Sequence, residues 1–200
     1  MAEKEVSTFC PANRQEWREW LQKNHSVEKS IWLIYYKKTS KTPSLTWSEA
    51  VDEALCFGWI DSLARPLDNE RYQQLFSPRK PKSVWSKINK EKIKKLIETG
   101  LMTQAGLNVI EIAKQNGSWT ILDEVEELVI PNDLTLALAQ NTNAQNYFQN
   151  LSRSDKRNLL QWVTLAKRAE TRQKRIDEIV DCTSRNEKPG ILLWKKKSES

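Results

Sequence analysis

The sequence predicts an α+β protein: a small, mainly antiparallel sheet flanked by helices, followed by an all-helical module. Three observations carry this reading. Ile31 to Tyr36 (IWLIYY) is an unbroken apolar and aromatic run of the kind that fills an interior strand. Trp59 to Leu63 and Arg71 to Ser77 are short, loosely alternating segments around a loop that holds Pro66, Asp68 and Asn69, which suits an antiparallel hairpin. From Thr103 onward only helical spacing and helix caps recur. The expected divisions are a front domain over 1–122, a helical module over 123–182 and a flexible basic tail over 183–200.

In chain order, the first eight residues are polar and expected to be loose, and Asn13 caps a helix whose Trp17, Trp20 and Leu21 form one apolar face. The strand at Ile31 follows and leads into a polar, basic loop, Lys37 to Thr42, that would join a second basic cluster at Arg79 if the two strands are neighbours. Thr46 with Glu49 has the spacing of a capping box, opening a helix that Gly58 stops in the left-handed position glycine fills most cheaply. After the hairpin, Ser77-Pro-Arg-Lys-Pro-Lys precedes Ser83, read as the cap of a helix from about Val84 to Thr99.

Thr103 caps the next helix, which Gly117 ends, and Gly117-Ser-Trp119 reads as a turn with an aromatic plug. Leu122 to Pro131 holds four carboxylates with no calcium-loop spacing, and reads as a solvated linker. Three short helices come next, capped by Asn132 or Asp133, preceded by Asn143, and capped by Ser152 or Ser154; the third carries Leu159, Leu160, Trp162 and Val163. A fourth runs from about Ala169 to Cys182.

Composition narrows the chemistry. The formal net charge is +6 over 200 residues, which favours anionic partners, small or polymeric. No apolar leader and no stretch near the length of a membrane span occurs, so a cytoplasmic protein without membrane insertion is expected. Cys10, Cys56 and Cys182 are far apart and encode neither a disulfide framework nor a zinc site, with Cys56 read as an inert buried thiol. His25 is the sole histidine, which removes most metal sites. Phosphate-loop, nucleophile-elbow and zinc-protease motifs are absent, so no cofactor, metal or catalytic residue is assigned.

Two basic regions remain as candidate sites. In the first, a helix start beside cations suits a carboxylate or phosphate: Arg79 and backbone N–H groups at Ser83 would hold the anion, Trp59 and Trp85 would pack its apolar part, and Asp61 would orient Arg79 or a ligand hydroxyl, with Arg65, Lys82 and Asn89 completing the set. The bland alternative makes the indoles core and pairs Asp61 with Arg65 or Arg79. In the second, Arg168, Arg172 and Arg175 fall on one face of the last helix and can meet nucleic-acid phosphates, although Glu170, Lys174 and Glu178 also allow an ordinary salt-laced surface. A protein partner in envelope stress, with no small ligand, is the third reading.

The phrases WREWLQKNH, IWLIYYKK, SLTWSEAVDEALCFGWIDS, YQQLFSPRKPKSVWSKIN, GLMTQAGL and AKRAETRQKRI resemble the bacterial YdeI/OmdA family, described as bacteriocin-protection, YdeI or OmpD-associated. The likeness runs from about Phe9 to Asp181, and GWID and SPRKPKSVWS are its most specific parts. It implies a link to survival against bacteriocins or cationic peptides and to an outer-membrane porin, and supplies no reaction, cofactor or catalytic residue.

Overall fold

A computed structural model describes residues 6–193. Two compact units divide between Trp119 and Thr120. The first is an α+β unit. Strands β1 (Thr8–Phe9), β2 (Ile31–Tyr36), β3 (Trp59–Pro66) and β4 (Arg71–Pro78) form one sheet in the order β1-β2-β4-β3, with a parallel β1–β2 pair and antiparallel pairs elsewhere. Thr8 and Phe9 therefore belong to the sheet rather than to a loose leader, because Ser7 and its neighbours supply the acceptors that the free edge of β2 needs, as in the Trp32 N–H to Ser7 carbonyl bond of 2.9 Å.

Helices α1 (Arg14–Asn24), α2 (Trp47–Cys56), α3 (Lys87–Glu98) and α4 (Gln104–Gln115) complete the unit. Alternation along β2 buries Ile31, Leu33 and Tyr35 against the helices and leaves Trp32, Ile34 and Tyr36 half-buried on the other face. The buried side meets Trp17, Leu21, Ala54, Leu55, Phe76, Trp85 and Ile93 in one core. Thr46 and Glu49 make the expected capping box at the start of α2. Gly58, at φ +74°, turns the chain out of α2 into β3. Ser83 is not the cap of α3: its N–H closes a turn onto the Lys80 carbonyl, residues 83–86 carry no regular secondary structure, and Ser86 is the cap. Trp85 is buried in the core before the helix begins.

Strands β2 and β4 are neighbours, but their antiparallel register pairs Tyr36 with Arg71 and Ile31 with Phe76. The Lys37 to Thr42 loop therefore lies at the opposite end of β4 from Arg79, and the two basic clusters stay apart.

The second unit contains α5 (Asp123–Glu126), α6 (Asn132–Ala139), α7 (Thr142–Asn150), α8 (Arg153–Thr164), α9 (Ala169–Ser184) and a final 3-10 turn at Gly190–Leu192. The segment read as a solvated linker is part of its packing: Leu122 and Val125 are buried, and Glu126 takes an ion pair from Arg157 at 3.0 Å. Asn132 and Asp133 lie inside α6, which Pro131 opens without a side-chain cap; Asn141, not Asn143, caps α7, and Ser152 caps α8. The tail expected to be flexible from residue 183 is helical to Ser184 and then pinned by the Lys188–Asp155 ion pair at 2.8 Å and a Gly190 N–H to Glu178 bond of 3.2 Å. The end of that tail, residues 194–200, falls outside the described residues.

Helix α4 meets α2 at a backbone-to-backbone approach. The Cys56 carbonyl accepts from both the Thr103 hydroxyl, at 2.6 Å, and the Thr103 N–H, at 3.2 Å, while a Cβ on Gly106 would collide with that same carbonyl. Gly106→Ala is therefore expected to lower the unfolding free energy by about 1–3 kcal/mol, the usual cost of overpacking, read by denaturant titration.

Candidate functional site

The front candidate stretch folds as a structural assembly. Trp59 and Trp85 are 1% and 2% exposed. The Trp59 indole donates to the His25 carbonyl at 3.1 Å and meets Trp20 edge to face. Asp61 forms a hydrogen bond with neither Arg65 nor Arg79. Its Oδ2 accepts from the Gln74 amide at 2.7 Å and from the Trp47 indole at 3.0 Å, so it ties the start of α2 to the sheet. A register shift between Asp61 and Ala64 sends Arg65, four residues on, to the opposite face, where its guanidinium lies 5.0 Å from the Trp32 ring.

Arg79 is 8% exposed, stacked 3.7 Å from the centre of the Trp85 ring. One terminal nitrogen donates to the Val84 carbonyl at 2.7 Å, and its Nε and other terminal nitrogen are buried with no acceptor. Burial pushes its pKa down to about 10, against an opposing pull from Asp61, which leaves the group charged at neutral pH. Lys80 and Lys82 are exposed, and Pro81 between them accepts from Asn116 and Ser118. Asn89 lies in the first turn of α3, its N–H donating to the Ser86 cap. The stretch thus brings Trp59, Asp61, Arg79 and Trp85 into the fold's interior and edges, and scatters Arg65, Lys82, Ser83 and Asn89.

Two features of this unit escaped sequence reasoning. Glu53, 2% exposed, is held by Arg14 at 2.5 Å and Arg18 at 2.6 Å. The signal was available in the i,i+4 spacing of Arg14 and Arg18 on α1. Beside it, Arg18, Gln22, His25, Phe57 and the first residues of α4 line a cavity of about 370 Å³. Arg18 is committed there to Glu53 and to the Leu101 carbonyl, and the His25 Nδ1 sits 2.9 Å from the Leu21 carbonyl. Cys56 is buried, and its thiol is pushed up to about 11, so it is not a thiolate nucleophile at neutral pH.

The helical unit treats its arginines differently. Arg172 reaches across to α6 and holds both oxygens of Asp133, at 2.6 and 2.9 Å, while also donating to the Val163 carbonyl. It is a brace between helices. Arg175 donates to the Trp162 carbonyl and lies 5.1 Å from the Trp162 ring. Arg168 caps α9 and is exposed. Two clefts meet here. One, of about 410 Å³, is lined by Asn158, Gln161, Trp162, Leu165, Arg175 and Ile191. The other, of about 350 Å³, is lined by Leu165, Lys167, Arg168, Thr171 and Arg175. Among the described residues, three cations and no carboxylate line the pair. Trp162, one of the residues the sequence places on the third short helix, is half-buried at this surface.

A family model described as a domain of unknown function (DUF8412) matches residues 9–109, and one described as Bacteriocin-protection, YdeI or OmpD-Associated matches residues 127–186. The chain belongs to the DUF8412 family and carries a YdeI/OmdA domain over residues 127–186. No curated protein and no solved structure matches it. The resemblance drawn from sequence phrases is thus divided between two models: GWID and SPRKPKSVWS fall in the DUF8412 region, and AKRAETRQKRI falls in the YdeI/OmdA domain. Asn158 to Arg175 of the cleft lie inside the YdeI/OmdA match, and Ile191 lies beyond it.

The YdeI/OmdA domain's brace yields a pH test. Arg172 holds the Asp133 carboxylate below its ordinary value of 3.8, so the stabilisation is full above that value and is lost as pH falls through the lower folded one. Asp133→Asn is expected to cost up to about 1 kcal/mol at pH 7, since the pair is partly exposed, and the deficit against wild type shrinks below about pH 4 in acid-melt curves. The DUF8412 region yields another. Arg79→Met removes a buried cation with unpaired donors and keeps the apolar contact with Trp85, so its melting temperature is expected to equal or exceed that of wild type by calorimetry.

Proposed function

We propose that the protein is an anion-binding protein whose ligand seat is the pair of adjacent clefts in the YdeI/OmdA domain. The observation that carries this is the lining: Lys167, Arg168 and Arg175 share one cleft, with no carboxylate among its described lining residues. Lys167 and Arg168 are exposed, and Arg175 is held in place by the Trp162 carbonyl. Cations arranged in this way attract phosphate, sulfate or carboxylate groups and release counterions when they bind a polyanion. Each cleft by itself falls in the size range of small-molecule sites. Arg172 is left out of the reading because Asp133 neutralises it. Arg79 is left out because its guanidinium is buried under Trp85.

No helix among the described residues is long and apolar enough to cross a membrane. The description of the matched family model names bacteriocin protection. For this chain such a role is part of the proposal, checked by survival of cells with and without the protein under a cationic peptide.

The direct test is binding of heparin and of a short DNA across a salt series. Wild type is expected to bind with affinity that falls steeply with salt, and Lys167→Ala/Arg168→Ala to weaken both ligands and flatten the slope for single-stranded DNA by about 1.4, two phosphate contacts' worth. Unchanged binding in that double variant would move the site elsewhere.

A further inference from the structure

We propose that the ligand of this seat is a nucleotide, free or as a unit of a single strand, with its base against Trp162 and its phosphate at Lys167 and Arg168. This rests on the anion-binding reading above and deepens it. The two clefts share Leu165 and Arg175, which sets them side by side, and the proposed ligand spans them. Their chemistry is split along the join. The phosphate-attracting groups Lys167 and Arg168, with the Thr171 hydroxyl, lie on one side; the Trp162 indole, Leu165 and Ile191, with the Asn158 and Gln161 amides, lie on the other.

That second half has no use for a bare anion. An indole with aliphatic neighbours offers a stacking platform for a flat ring, and every nucleobase has a π-face. Primary amides carry a donor and an acceptor side by side, which is what reading a base edge requires. Inorganic phosphate would fill only the cationic half. A sulfated sugar polymer would bring charge without a flat ring. Arg175 stands at the join, stacked near the Trp162 ring and bonded to the Trp162 carbonyl, so it faces both halves already ordered. Preordering of this kind lowers the entropic cost of binding.

The experiment uses the full chain and isothermal titration with AMP, CMP, ribose 5-phosphate and inorganic phosphate, and with a short single-stranded oligonucleotide set against heparin. Nucleotide is expected to bind at least ten-fold more tightly than ribose 5-phosphate. Trp162→Leu is expected to lose about 5- to 150-fold for the nucleotide, the scale of one base stack, and to leave ribose 5-phosphate binding unchanged. Lys167→Ala/Arg168→Ala weakens both. Circular dichroism checks the fold of each variant, and Trp162→Phe, which keeps a π-face, is expected to retain most of the nucleotide preference. A mononucleotide that binds as tightly as the oligonucleotide identifies a free nucleotide as the source, and an oligonucleotide preferred over heparin but not matched by mononucleotides identifies the strand. Equal affinity for AMP and ribose 5-phosphate, together with heparin binding as tight as the oligonucleotide, overturns the nucleotide while leaving anion binding standing. Loss of all binding overturns both.

Discussion

Helix α2 has almost no free side, and the first unit is arranged to satisfy that. Six of its ten residues are buried, among them the carboxylate of Glu53. A buried ionised group is costly unless it is paired and hydrogen-bonded, so Arg14 and Arg18 of α1 must lie over it, which fixes α1 against α2. The helix's last carbonyl, that of Cys56, needs a partner as well, and Thr103 supplies two donors to it from the start of α4. Its first residue, Trp47, is tied to the sheet through Asp61. Sheet, α1 and α4 therefore take their places from the needs of one helix.

Charge is handled in two ways in this protein. In the first unit, Arg14 and Arg18 pair with the buried Glu53 and Arg79 lies buried against an indole face, so their charge is spent on packing. In the YdeI/OmdA domain, Arg172 is neutralised in the same manner by Asp133, while Lys167, Arg168 and Arg175 stay together along a cleft. Counting basic residues along the chain does not separate these cases, because a cation buried over tryptophan and a cation at a cleft are the same letter.

What the sequence made legible follows from local physics. Asn13, Thr46, Thr103 and Ser152 are caps in the structure because a side-chain oxygen reaching a backbone N–H two or three residues on is a short-range event. The α+β class and the hairpin were readable for the same reason, through alternation and turn residues. Failures arose where tertiary packing chose between equivalent local options. Ser83 and Ser86 both suit a cap, and the burial of Trp85 decided for the second. Acidic residues at 123–127 masked Leu122 and Val125, whose apolar side chains pull the segment into the helical unit. Of the candidate site, Arg168 and Arg175 were legible as a helix face, whereas Lys167, Asn158, Gln161 and Ile191 join them only through the packing of α8, α9 and the final turn.

The Cys56 carbonyl accepts from a residue 47 positions later. A helix end that waits so long for its partner closes a large loop in the chain, and the entropy of that closure is repaid only when α4 docks. Every element that makes this closure lies before Thr120, so the loop is closed by residues the first unit itself supplies.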